Sequence, residues 1–152
     1  MVPIWVAAVF FALMVYFTGQ AAPRQEAATA SIVASVSATN MLAYRNALSR
    51  YLGANPGASG VIQDHALESY WLPGYKKNPL WTNLVQGGQL YVYASGSAEV
   101  GTVHRLAEMT RKSFLVGTKS AITGRLVSST GLDTGISLPT AIPDGAVVIV
   151  GT

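Results

Sequence analysis

From Ile4 to Phe17 nearly every position is apolar, and no side chain from Val2 to Pro23 carries a charge. A run of this length can cross a hydrocarbon core of about 30 Å as a helix, which takes about 20 residues. Trp5 and Tyr16 stand near its two ends, where aromatic rings favour the lipid–water interfaces. The pattern predicts a transmembrane anchor over residues 1–22, carried by Ile4, Trp5, Val9, Phe10, Phe11, Leu13, Tyr16 and Phe17. Pro3 suits a first helical turn, and Gly19 and Pro23 punctuate the exit. A cleaved secretory signal competes with this reading, because Gly19-Gln20-Ala21 ahead of Ala22 is a small-x-small site. No Lys or Arg precedes Arg24, however, so the basic start of a signal is missing and the retained anchor is favoured. Orientation is weakly specified, since Glu26 balances Arg24.

After the anchor the apolar period is helical. Ile32, Val33, Val36, Met41, Tyr44, Leu48, Tyr51 and Leu52 recur at steps of three and four, with Ser35, Ser37, Thr39, Asn46 and Ser49 mostly between them. This predicts an amphipathic helix over 23–52, about eight turns long, opened by Pro23 and Glu26 and closed at Gly53. It reads as the core helix of the following domain, with a membrane-proximal partner-binding helix as the sharper alternative. Ala54 to Gly60 is a loop by composition, and Val61 to Tyr70 is either a short helix or an extended run. Leu80–Gln86 and Gln89–Ser95 read as two strands joined by the hairpin signal Gly87-Gly88. Ala98–Lys112 reads as a second helix, with Ser97 as N-cap, a stripe of Val100, Val103, Leu106 and Met109 or Thr110, and a basic end at Arg111-Lys112. Phe114–Val116 is a short strand, and Ile122–Ser128 is either another or the start of a loop. Ser129–Asp144 has no strong pattern, whereas Ala146–Gly151 is a continuous apolar run suited to a central strand. The expected fold class is α+β: an N-terminal transmembrane helix, a long amphipathic helix, and a small, mostly antiparallel sheet with a second helix crossing between strands. Residues 23–152 would form one domain.

Composition narrows the function classes. The charged fraction is 11%, less than half the usual average of about 25%, so the surface is Ser, Thr, Asn, Gln and Gly or is covered by partners. The net charge of +3 comes from ten basic and seven acidic residues without clustering, which does not indicate nucleic-acid binding. The chain has no cysteine, which excludes a disulfide framework, a thiolate metal site and a cysteine nucleophile.

Candidate chemistry is thin. His65 and His104 have no second His, Asp or Glu at ligand spacing, so neither a metal nor a cofactor is expected. His104 and Glu108 are spaced for a solvated helix-face pair. A Ser–His–Asp triad would be defined by geometry alone, and the Gly-x-Ser-x-Gly elbow is absent from the sequence. Gly117-Thr118-Lys119-Ser120 lacks the earlier glycine of a phosphate loop, since Lys112 stands there. The best functional signal is aromatic: Tyr70, Trp71, Tyr75 and Trp81 fall within a dozen residues of one another. Trp71 and Trp81 suit a core, while Tyr70, Tyr75, Lys76 and Lys77 have the composition of a protein-contact surface.

An apolar N-terminal helix such as Val2–Phe17, a long amphipathic helix and a small sheet domain resemble type IV pilins in outline. The basic leader and the acidic residue at the fifth mature position are missing, with Trp5 at that place and Glu26 the first acidic residue. In length, layout and cysteine-free, polar texture the chain resembles more closely the PilM family of type IVB (thin) pilus systems on conjugative plasmids. That family is distinct from the actin-like, nucleotide-binding PilM of type IVA pili. The resemblance implies an inner-membrane protein of the pilus basal body or pilin-transport apparatus in a Gram-negative envelope, and the expected role is a non-enzymatic scaffold whose domain faces the periplasm. Its partners would be other pilus-assembly membrane proteins, membrane lipid through the N-terminal helix, and a second copy of the chain. A minor pilin or pseudopilin subunit is one alternative. An exported binding protein or hydrolase, with His65 or His104 in a pocket beside a Ser and a carboxylate, is another.

Overall fold

The computed structural model describes residues 4–151, and the side chains of residues 4, 7 and 16–25 lie outside the described set. The chain begins with one helix, α1 (Ile4–Ala54), which runs without interruption through the boundary expected at residue 22. A 3-10 helix follows at Asp64–Tyr70. Then come β1 (Trp81–Gln86), β2 (Gln89–Ala94), α2 (Thr102–Met109), β3 (Val116–Lys119), β4 (Arg125–Ser128), β5 (Asp133–Ser137) and β6 (Val147–Gly151). Among the described residues no helix is long and apolar enough to cross a membrane, so the expected transmembrane span is not supported. The expectations for Pro3, for the side chains of Ile4, Tyr16 and Phe17, and for the Gly19–Ala22 cleavage site lie outside the described residues.

The strands form one six-stranded sheet in the order β1-β2-β6-β3-β4-β5, with every neighbouring pair antiparallel. Gly87 and Gly88 join β1 to β2 with φ of 61° and 76°, the two successive positive values that a two-residue hairpin needs. β2 and β3 both flank β6, so the connection through α2 skips one strand whose place is filled by the end of the chain.

The central strand β6 is buried on both faces, and that accounts for its unbroken apolar run. Val147 and Ile149 join Leu90, Val92, Trp81 and Val85 against Met41, Tyr44 and Leu48 of α1 and Leu106 of α2. Val148 and Val150 point the other way, onto Leu126, Leu138 and Ile142. The Ser129–Asp144 stretch, without pattern in the sequence, therefore supplies the edge strand β5 and then the lid of this second core. Its closure is fixed by Lys119, 8% exposed, whose Nζ donates to the Ile142 carbonyl at 2.6 Å and approaches Asp144 Oδ1 at 3.1 Å.

The helices depart from the sequence reading in two ways. On α1 the C-terminal half of the expected stripe is buried, at Met41, Tyr44 and Leu48, but Ile32, Val33 and Val36 are 64%, 41% and 64% exposed. The buried face there consists of Ala34, Ser37 and Ala38. Gly101 lies over Ala34, where a Cβ would make ordinary contact at 3.7 Å, so it is the φ of 87° that favours glycine at this position. On α2, helix starts at Thr102 behind Gly101 (φ 87°), not behind Ser97, and Val100 is 90% exposed. Arg111 and Lys112 lie beyond its end in left-handed backbone, φ 55° and 60°. Phe114 and Leu115 precede β3 instead of forming it, and both are exposed.

A candidate partner-binding face on the long helix

The aromatic segment is held to α1 by a ladder of side chains. Trp71 stacks between Tyr44 (5.9 Å between centroids) and Tyr75 (5.0 Å), and Lys77 Nζ lies 4.9 Å from the Tyr44 ring centroid on a cation–π contact. Tyr70 meets Tyr51 edge-on at 5.7 Å. Lys77 also binds both carboxylate oxygens of Asp64, at 2.8 and 2.7 Å. Asn40 ties the segment down: it donates to the Lys76 carbonyl at 2.7 Å and accepts from the Asn78 amide and the Tyr75 hydroxyl at 3.0 and 3.1 Å. No sequence motif singles out Asn40, since a lone Asn on a helix face gives no periodic signal. Burial holds the Tyr75 hydroxyl well above its ordinary range and pushes Tyr44 up to about 12.

The structure thus brings Tyr70, Tyr75 and Lys77 together as contacts within the fold, and leaves Lys76 the exposed side chain of the four. Trp81 is fully buried, while Trp71 is half-buried in the stack. The Leu72-Pro73-Gly74-Tyr75 turn forms one wall of an open groove of about 510 Å³, whose other wall is Ser35, Val36, Thr39, Asn40 and Ala43 of α1. Above it α1 projects beyond the domain. Trp5, Phe10, Phe11 and Met14 there are 69–73% exposed, and Val9, Leu13 and Val15 are exposed as well.

The two histidines lie in separate clefts. His65 shares one of about 310 Å³ with Asp64, Lys77, Thr82 and Asn83. His104 shares one of about 270 Å³ with Ser31 and Glu108, the three residue types of a hydrolytic triad. Their contacts do not form a relay: His104 Nε2 is 3.2 Å from Glu108, while the Ser31 hydroxyl accepts from Arg105 at 2.5 Å. His104 is 72% exposed, so the water-excluded setting of such chemistry is missing as well. Glu108 is held below the usual carboxylate range chiefly by its hydrogen bond from Arg105. Among the described residues no group of three or more His, Cys, Asp or Glu could hold a metal ion.

The PilM family model matches residues 8–150. A solved structure of the putative protein PilM from Escherichia coli B7A is similar at 23% identity and a TM-score of 0.59, covering 80% of this chain and 93% of that one. A putative pilM protein from Pseudomonas aeruginosa 2192 is 31% identical over 78% of this chain and 95% of its own, with a TM-score of 0.43. No curated protein matches. With the model spanning α1 from its apolar end through β6, the chain belongs to the PilM family, of the plasmid-type kind.

Proposed function

We propose that this PilM-family protein is a non-enzymatic component of a type IVB pilus assembly or pilin-transport apparatus. The apolar end of α1 holds it at the bacterial inner membrane, and the α+β domain stands in the periplasm against other pilus proteins. The observation that carries this reading is the exposed run Trp5–Val15, apolar on every side that the described residues present. A helix apolar all round needs lipid or protein around it. Among the described residues its own domain buries α1 side chains from Ala34 onward and reaches Ser31 through Arg105. This run spans about 16 Å at 1.5 Å per residue, enough to enter one leaflet of a hydrocarbon core about 30 Å thick. Tethering then raises the effective concentration of the domain for its membrane neighbours without any bond being made or broken. Lys76, on the turn that Asn40 fixes, together with the exposed edges of Tyr70, Tyr75 and Lys77, is the candidate contact surface.

Carbonate extraction of membranes from the native cell, with the intact mass of the extracted protein, tests this. Retention in the pellet with a mass beginning at Met1 supports the tether. A soluble species beginning near Ala22 overturns it. A pilin-like subunit is the second reading, favoured by α1 being a single 51-residue helix with the sheet packed on its C-terminal half. Recovery of the chain in sheared fibres would establish that reading in place of the scaffold.

A further inference from the structure

We propose that the end of the domain carrying Arg45, Arg111, Lys112 and Phe114 docks an acidic segment of a partner protein. Arg111 and Lys112 close α2 in successive left-handed positions, φ 55° and 60°, with the Lys112 amide donating to the Ala107 carbonyl at 2.5 Å. Such backbone is uncommon outside glycine. It leaves both cations exposed just ahead of Phe114 and Leu115, which are 62% and 39% exposed. The Leu115 carbonyl accepts from the Val150 amide at 2.8 Å, so this segment runs beside the end of β6. Arg45 reaches the same end from α1: a Cβ on Gly151 would lie 2.6 Å from its Nη2 and 2.9 Å from its Nε.

Charge names the partner's chemistry. Lys77, Arg105, Lys119 and Arg125 each lie within ion-pair distance of an Asp or Glu. Among the described residues no carboxylate meets Arg45, Arg111 or Lys112 in this way. Arg45 is half-buried and its Nε lacks an acceptor, so its charge is poorly hydrated and a partner's carboxylate gains most there. Phe114 and Leu115 supply apolar area beside the cations, and Arg with aromatic side chains is the composition that anchors protein contacts. Position favours protein over anionic lipid: Arg45 lies about 45 Å along α1 from Val15 at 1.5 Å per residue. That choice rests on the tether proposed above, in which lipid surrounds the other end of α1.

Photo-cross-linking in the expressing cells tests this. Full-length chains carry p-benzoylphenylalanine in place of Phe114, or in place of Ile122, which is 95% exposed beyond the opposite end of β3 and reports random collision. The cross-linked peptides are sequenced by mass spectrometry. The expected link from position 114 is to a protein segment in which Asp and Glu outnumber Lys and Arg. Arg111→Asn with Lys112→Asn removes both charges with a residue that suits left-handed backbone, and lowers the yield roughly tenfold. Arg111→Glu with Lys112→Glu abolishes the link, and changing the acids of the linked segment to Lys restores it. Both positions are exposed, so the fold survives these changes. A yield no higher than from position 122, a link that neither pair of substitutions weakens, a link that the Lys changes do not restore, or a linked segment without that acidic excess overturns the proposal. An adduct of lipid mass overturns it in favour of a membrane contact and leaves the tether standing. Loss of the chain from the carbonate pellet overturns the tether and leaves an acidic protein link standing.

Discussion

The side-chain amide of Asn83 donates to the Tyr44 hydroxyl at 2.7 Å, joining the edge strand β1 to α1 inside the core. The same amide donates to the Ile62 carbonyl at 2.8 Å, and its oxygen accepts the Ile62 amide at 2.8 Å. One buried Asn therefore continues, through its side chain, the pairing that Gly60 and Val85 begin through their backbones. It satisfies three partners that would otherwise be orphaned out of water.

Asn83→Leu removes all of these bonds at once and leaves the Ile62 amide and carbonyl unpaired. The expected loss is about 3 kcal/mol, with the thermal midpoint falling by roughly 10 °C. Tyr44→Phe removes one bond and keeps the stack, so it costs about 1 kcal/mol. Thermal unfolding of both variants followed by circular dichroism checks the order; equal losses would mean that Asn83 acts through Tyr44 alone.

Alkaline pH tests the burial of Tyr44. Its folded value lies at about 12 against 10.0 for the free side chain, mainly from desolvation. A raised value means that the native state holds the proton more tightly. The stabilisation is complete below pH 10 and is lost as pH rises towards 12. Denaturant unfolding across that window should show stability falling with pH, and Tyr44→Phe should flatten the slope. Tyr75 and Tyr93, also raised by burial, account for what slope remains.

Two buried glycines should respond very differently to Ala. A Cβ at Gly117 in β3 would lie 2.0 Å from the Val127 carbonyl oxygen and 2.7 Å from its carbon, atoms of the neighbouring strand that cannot withdraw without opening the pair. At Gly151 the nearest atoms belong to the Arg45 guanidinium, at 2.6 Å and beyond, which is the free end of a long side chain. Gly117→Ala is expected to abolish soluble folded protein, while Gly151→Ala folds with a modest loss. Soluble yield and proteolytic resistance of the pair give the answer.

On α1, Met41→Ala opens a cavity at a fully buried site and should cost about 2–4 kcal/mol. Ile32→Ala, at a residue 64% exposed, should stay within about 0.5 kcal/mol for the isolated domain. Denaturant midpoints distinguish them. A large loss at Ile32 would place it in the domain core, where periodicity alone puts it.

The elements legible in the sequence are those whose signal is local. Gly87-Gly88 fixes the hairpin because two successive positive φ values suit glycine above other residues. Ala146–Val150 reads as a central strand because only burial on both faces suits an unbroken apolar run. The α+β class follows from the same signals. The candidate site was legible in part: the aromatic cluster marks where the chain meets α1, but not that the stack and Asn40 turn Tyr75 and Lys77 inward.

The remaining features depend on contacts between segments distant in sequence, and the tertiary structure decided them. Steps of three and four pick out Ile32 and Val36 as readily as Met41 and Tyr44, because period reports a common face and not what covers it. The cover is set by α2, which packs on Ala34 and leaves the larger Ile32 and Val36 exposed. Likewise Leu138 and Ile142 carry no period of their own, and they become core only because β6 presents Val148 and Val150 to them. The sequence by itself determined which segments are apolar enough to need cover. Which surface supplies that cover is a property of three-dimensional proximity, because the hydrophobic effect rewards area removed from water, whatever the direction from which it is covered.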